Sequence, residues 1–135
     1  MGSPGALLSK THRDLLARPL IAHLATARPD GGLQCNPVWF EWDGEHVSIS
    51  QTRSRQKLRN LEKNPQVALS IVDPGNPYRY LEVRGVVERI DDDPDRRFID
   101  DLSARYTGER PYPWHQPGDE RVVVRIRPTA SSSMG

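Results

Sequence analysis

Arg53, Arg55, Lys57 and Arg59 fall at alternate positions where a strand-like segment, Ser48 to Thr52, runs into a helix. A helix start already carries a partial positive charge, and acidic side chains there are favoured by roughly 0.3 to 1 kcal/mol each, so this basic run opposes the dipole. No carboxylate appears between Arg53 and Glu62 to offset it. With Ser54 as the N-cap, free backbone N–H groups and two or three cationic side chains converge on one spot, which is how proteins hold phosphate. The competing reading is a solvated cationic face.

Other chemistry-bearing residues offer less. Cys35 is the single cysteine, so neither an internal disulfide nor a cysteine zinc site can be built, and it reads as a small buried thiol in a strand of a cytoplasmic protein. His23 and His46 lie in strand-like segments without ligand-spaced partners, so no metal site is expected. Asp91, Asp92, Asp93 and Pro94 read as the cap of a following helix, which accounts for these acids without catalysis. With 19 basic against 18 acidic residues, the net charge of +1 argues against a duplex nucleic-acid partner. No apolar run approaches the ~18 residues that span a bilayer, and no signal-peptide core opens the chain, so no membrane partner is expected.

The elements that must position the basic cluster follow from periodicity and punctuation. A short helix over Thr11 to Ala17 is stopped by Pro19, and strands follow over Leu20 to Ala27, Leu33 to Asp43 and His46 to Thr52 as an antiparallel meander. The basic helix runs from Ser54 to about Asn64, where Pro65 ends it. Strands over Gln66 to Asp73 and Tyr80 to Ile90 come next, the latter with a phase slip at Gly85 that predicts a bulge. A helix to about Tyr106, a proline-rich loop from Gly108 to Glu120 carrying Tyr112, Trp114 and His115, and a strand over Arg121 to Pro128 complete the chain. Six short strands with intervening helices in 135 residues favour one domain, a small closed, mainly β barrel with a core over about residues 11–128 and loose ends at Met1 to Gly5 and Ser131 to Gly135. Trp39, Phe40, Trp42, Tyr78 and Tyr80 exceed what one small interior holds, so some face outward, and a homodimer is the economical expectation. Trp39 and Trp42 read as packing or dimer contacts.

The order of signals resembles the FMN-binding split-barrel superfamily, which includes pyridoxamine 5'-phosphate oxidase and the small coenzyme F-420 (deazaflavin) dependent reductases. The matching pieces are Ile21-Ala22-His23-Leu24-Ala25-Thr26 followed by Asp30-Gly31, then Asn36-Pro37-Val38-Trp39-Phe40, then Ser54 to Leu61, then Glu82-Val83-Arg84-Gly85. The resemblance implies a homodimeric, six-stranded antiparallel split β-barrel with cofactor sites at the subunit interface and phosphate at the strand-to-helix junction. It places Arg55, Gln56 and Lys57 on the phosphate and Ser50 and Thr52 along the approach. Asn36, Pro37 and Val38 border the ring, while Tyr78 and Tyr80 come from the partner chain and Trp114 from the mobile loop.

Arg53, Arg55, Lys57 and Arg59 exceed what the single phosphate of FMN needs, whereas coenzyme F-420 adds a phosphodiester and an oligoglutamate tail, so Arg53 joins the expected cofactor-binding residues. The pyridoxamine-oxidising members also carry a C-terminal substrate segment that this sequence lacks. The expectation is therefore a coenzyme F-420-dependent oxidoreductase moving a hydride between the deazaflavin and a small conjugated substrate, with no required catalytic side chain. Tyr80, His115 and solvent are the candidate proton donors. An FMN-dependent enzyme and a non-enzymatic flavin- or haem-binding protein are the alternatives, and a single-stranded nucleic-acid platform is disfavoured by the near-zero net charge.

Overall fold

The computed structural model describes residues 7–135, so the expectation for Met1 to Gly5 lies outside the described residues. Three helices, α1 (Asp14–Ala17), α2 (Gln56–Lys63) and α3 (Arg97–Thr107), flank a sheet of seven antiparallel strands. These are β1 (Ala22–Ala27), β2 (Leu33–Val38), β3 (Glu41–Trp42), β4 (Val47–Thr52), β5 (Gln66–Asp73), β6 (Asn76–Asp92) and β7 (Arg121–Met134), in spatial order β2-β1-β5-β6-β7-β4-β3. The mainly β architecture is as expected, but the strand count and closure are not. The segment expected as one strand from Leu33 to Asp43 breaks after Val38, because Phe40 turns fully into the core and its backbone N–H donates to the Tyr106 hydroxyl at 3.1 Å instead of to a ladder. Beyond the break, the two-residue β3 pairs with β4 alone among the described strands. The first strands are therefore no meander, since β4 pairs with β7 and β3 but not with β2.

Both ends of the sheet bury their inner residues in one cluster, Leu24 and Val38 from one end meeting Val47 and Ile49 from the other. The sheet thus wraps around a shared core without a hydrogen-bonded seam between β2 and β4. Leu15 and Leu16 of α1 and Leu58 and Leu61 of α2 close that core, burial worth about 1.5 to 3 kcal/mol for each such side chain. Phe98 and Leu102 of α3 instead cover the opposite face of β7 at Val123, with Trp39 and Tyr106 against them.

The bulge at Gly85 is present: β6 and β7 shift register between Arg84 and Gly85, pairing Arg84 with Ala130 and Gly85 with Pro128. A Cβ at Gly85 would stand 2.6 Å from the Arg127 carbonyl oxygen, so no larger residue fits without moving backbone. The same bulge accommodates Pro128, which cannot donate to a ladder. Beyond it β7 does not end, as expected from Pro128, but continues to Met134, with Ser131 to Ser133 paired to Val83, Glu82 and Leu81. The serines hold the edge with side chains as well, Ser131 donating to the Leu7 carbonyl at 2.6 Å and Ser132 to Glu82 at 2.8 Å.

Capping of α3 falls to Asp93 alone, whose carboxylate accepts from the Phe98 and Ile99 N–H groups at 3.1 and 3.4 Å. Asp91 and Asp92 lie in β6 and pair with arginines. Cys35 is exposed rather than buried, because on the edge strand β2 it shares with Leu33 and Pro37 the face turned away from the core.

Candidate functional site

A cleft of about 350 Å³ opens at the unpaired seam. Pro37, Val38 and Trp39 form one wall, Ser50, Gln51 and Thr52 of β4 form the other, and Arg55 and Lys57 stand at the mouth of α2. Arg121 of β7, Tyr112 and Trp114 from the loop, and Ile99 and Leu102 of α3 complete it. Among the described residues three cationic side chains line this space and no carboxylate does.

The local chemistry of the strand-to-helix junction explains the charge. Helix α2 begins at Gln56 with Arg55 as its N-cap, and no side chain caps it; the expected N-cap, Ser54, instead sits 3.5 Å from the Thr52 hydroxyl. First-turn N–H groups of a helix have no intrahelical partner, so this uncapped end presents donors as well as dipole. Lys57 is only 9% exposed. Neither Lys57 nor Arg55 forms an ion pair or side-chain hydrogen bond among the described residues, and burial, then the adjacent Arg55 charge, push the Lys57 ammonium below the ordinary lysine value. An ammonium held with little water and no counter-ion is a destabilised charge, and an anion entering the cleft relieves it.

The other members of the basic run are already engaged. Arg53 points away from the cleft into a neighbouring depression, bonded to Asp92 and 3.8 Å from Glu120. Arg59 folds back to donate to the Ser54 carbonyl at 3.0 Å.

Of the residues expected at the cofactor, the cleft brings together Pro37, Val38, Ser50, Thr52, Arg55 and Lys57, with Trp114 above them. Asn36 and Gln56 flank the cleft without lining it, and each uses its side-chain amide in a hydrogen bond, Asn36 to Gln34 and Gln56 to Asn60. Tyr78 and Tyr80 lie on β6 outside the cleft of their own chain, Tyr78 being 79% exposed.

Sequence reasoning passed over Trp39, Tyr112 and Arg121 as cleft residues. Trp39 stacks on Tyr106 at 5.1 Å and meets the edge of Tyr112, which in turn meets Trp114 at 5.6 Å, so an aromatic ladder carries the loop onto the cleft. The Arg121 guanidinium lies 4.9 Å from the Tyr112 ring centre, a cation–π contact, and its Nη1 is 3.4 Å from the Ser50 hydroxyl. The loop is tied down where the Tyr112 N–H donates to Asp100 at 2.8 Å. The signal for Arg121 was present as a charge at the head of the Val122-Val123-Val124 run.

An antiparallel sheet wrapped on one core, with a cation-lined cleft at its open seam, is a split-barrel domain. The family described as pyridoxamine 5'-phosphate oxidase matches residues 8–135, and the chain belongs to it. A solved structure of an F-420 reductase is 51% identical, with a TM-score of 0.85 over 92% of this chain and 98% of its own. A conserved hypothetical protein from Mycobacterium tuberculosis is 27% identical, with a TM-score of 0.72 over 90% of this chain and 80% of its own. General stress protein 26 from Bacillus anthracis, at 19% identity and a TM-score of 0.67 over 90% of this chain and 88% of its own, shares the fold. No curated protein sequence matches the chain.

Proposed function

We propose that the protein is a coenzyme F-420-dependent oxidoreductase, homodimeric and cytoplasmic, acting on a small conjugated substrate. The observation that carries this reading is the pair Arg55 and Lys57, cations without a counter-ion among the described residues at an uncapped helix start, in a chain 51% identical to an F-420 reductase. Lys57 and Arg55 hold the phosphate, Ser50 and Thr52 line its approach, and Pro37 and Val38 border the ring. Asn36 and Gln56 support those contacts from behind.

When bound, coenzyme F-420 supplies a hydride in a two-electron step. The chain's own part is to orient the acceptor and exclude water. Trp114, 58% exposed over the cleft, offers the surface that a planar acceptor would cover, and the Trp39–Tyr112–Trp114 ladder fixes its height. No side chain is required as an acid; Tyr80, His115 or solvent delivers the product proton.

The dimer reading rests on the outer sheet face. Val72 of β5, Tyr80 of β6 and Met134 of β7 stand side by side in register on the face opposite the core, with exposed Ile21 at the same end of β1 and also in the cleft wall. An apolar row that leads into the cleft is a surface that a second copy covers, bringing its Tyr78 and Tyr80 towards the site.

Titration of the protein with coenzyme F-420 and with FMN, followed by fluorescence quenching, tests the assignment. Tight binding of the deazaflavin with weak FMN binding is expected, and Lys57→Ala should weaken the former by roughly 1.5 to 3 kcal/mol, as for a charge-assisted contact. Preference for FMN, or no effect of Lys57→Ala, would remove this reading.

A further inference from the structure

Beside the cleft, four side-chain amides and one hydroxyl form a chain from α2, at its mouth, to β2, which leads into its Pro37–Val38 wall. The Gln56 Nε2 donates to Asn60 Oδ1 at 2.9 Å, Asn60 Nδ2 donates to Gln34 Oε1 at 3.3 Å, and Gln34 Nε2 donates to Asn36 Oδ1 at 2.8 Å. Asn60 Nδ2 also donates to the Thr26 hydroxyl at 3.0 Å. Each interior amide donates in one direction and accepts from the other, so the bonds polarise one another along the chain. Asn60 is 0% exposed and Thr26 2%.

Burying an amide is unfavourable unless it is satisfied, and an apolar residue of the same shape would serve a core as well, so this arrangement calls for a role beyond stability. Its ends identify one. Gln56 sits between Arg55 and Lys57 on α2, and Asn36 precedes Pro37 and Val38 on β2. Among the described residues no backbone ladder joins β2 directly to α2 or to β4, so side chains supply the direct links across the seam.

We infer that Asn60 and Gln34 are positioning residues whose amide chain holds the anion-binding helix in register with the ring-bordering strand. The inference deepens the proposed function and rests on the cleft being the cofactor site. A ligand with a phosphate and a ring must satisfy both walls at once, and the gain from linking two weak contacts depends on their spacing. Loss of register therefore weakens the whole cofactor while leaving each half untouched.

The test compares three probes, coenzyme F-420, its phosphate-free ring-and-ribityl fragment, and inorganic phosphate, on wild-type protein, Asn60→Leu and Gln34→Met. Gln34 is a half-buried link near the sheet edge, so Gln34→Met keeps the fold if Asn60→Leu does not. The expected result is a loss of about tenfold in affinity for the whole cofactor, with the fragment and phosphate each held within about twofold. Equal affinity of wild type and Gln34→Met for the cofactor overturns the positioning role, and so does a parallel loss for all three probes, which marks a merely structural bond. Wild-type protein that binds neither the cofactor nor its fragment overturns the functional reading and this one with it.

Discussion

Two clusters of cations in this molecule are wired in opposite ways. At the foot of α1, Arg79 is saturated: it donates to both Asp14 carboxylate oxygens at 3.0 and 2.5 Å, to Asp73 at 3.1 Å and to the Thr11 carbonyl at 2.7 Å. At the head of α2, Arg55 and the more deeply buried Lys57 have no such partners among the described residues. The first arrangement ties the N-terminal segment to the β5–β6 hairpin. The second leaves positive charge facing a cleft. Residue type and local density of charge do not separate a paired cation from an unpaired one; the presence of carboxylates on neighbouring elements, Asp14 of α1 and Asp73 of β5 for Arg79, does.

The contrast can be broken most forcefully at Lys57. Replacing it with methionine should cost anion affinity as the alanine variant does, yet raise stability by about 1 kcal/mol, because an unpaired buried charge gives way to an apolar side chain of similar length. Denaturant unfolding alongside cofactor titration checks both signs, and destabilisation by Lys57→Met would show that the ammonium is satisfied within the protein. Arg79→Met should do the reverse, lowering the unfolding temperature while leaving phosphate and cofactor affinity unchanged.

Proton linkage sharpens the same comparison. The Lys57 ammonium is held below its ordinary value of 10.5 chiefly by desolvation. Between that lowered value and 10.5 the unfolded chain binds more protons than the folded one, so the Lys57 contribution makes stability rise with pH, a rise that Lys57→Met removes. Anion affinity runs oppositely, falling as pH climbs through the lowered value and the charge is lost. At the other corner, the Arg79 hydrogen bond lowers the Asp14 carboxyl, and the Gly75 N–H, then Arg79, lower that of Asp73. Their contribution is present above the ordinary 3.8 and is lost as pH falls through the depressed values, so Arg79→Met should flatten acid unfolding. The smallest effect is expected at Arg53: its exposed partners Asp92 and Glu120 already occupy it, and Arg53→Ala should change cofactor affinity by less than about twofold in the same fluorescence titration.

Features encoded by neighbours along the chain were legible in the sequence. The strand-to-helix junction at Thr52 to Gln56, the bulge at Gly85 and the Asp93 cap each depend on residues a few positions apart, and periodicity or punctuation marks them. Partnerships across the sheet were hidden. Nothing near Arg53 announces that Asp92 lies within reach, and nothing near Cys35 says that its strand is an edge. The serine-rich tail from Ser131 lacks apolar alternation, yet it becomes strand because the long β6 offers it a ladder and Glu82 a side-chain partner. Tyr112 and Arg121 joined the cleft only through a contact between a loop ring and a strand guanidinium, which no spacing rule anticipates.

The open seam carries a mechanical consequence. A barrel closed by backbone ladders can widen only by unzipping hydrogen bonds in cooperative rows, whereas here β2 and β4 face one another with no row between them. The mouth can therefore change width without breaking a backbone row, at the expense only of the side-chain contacts that span it, while the hydrophobic interior stays shut.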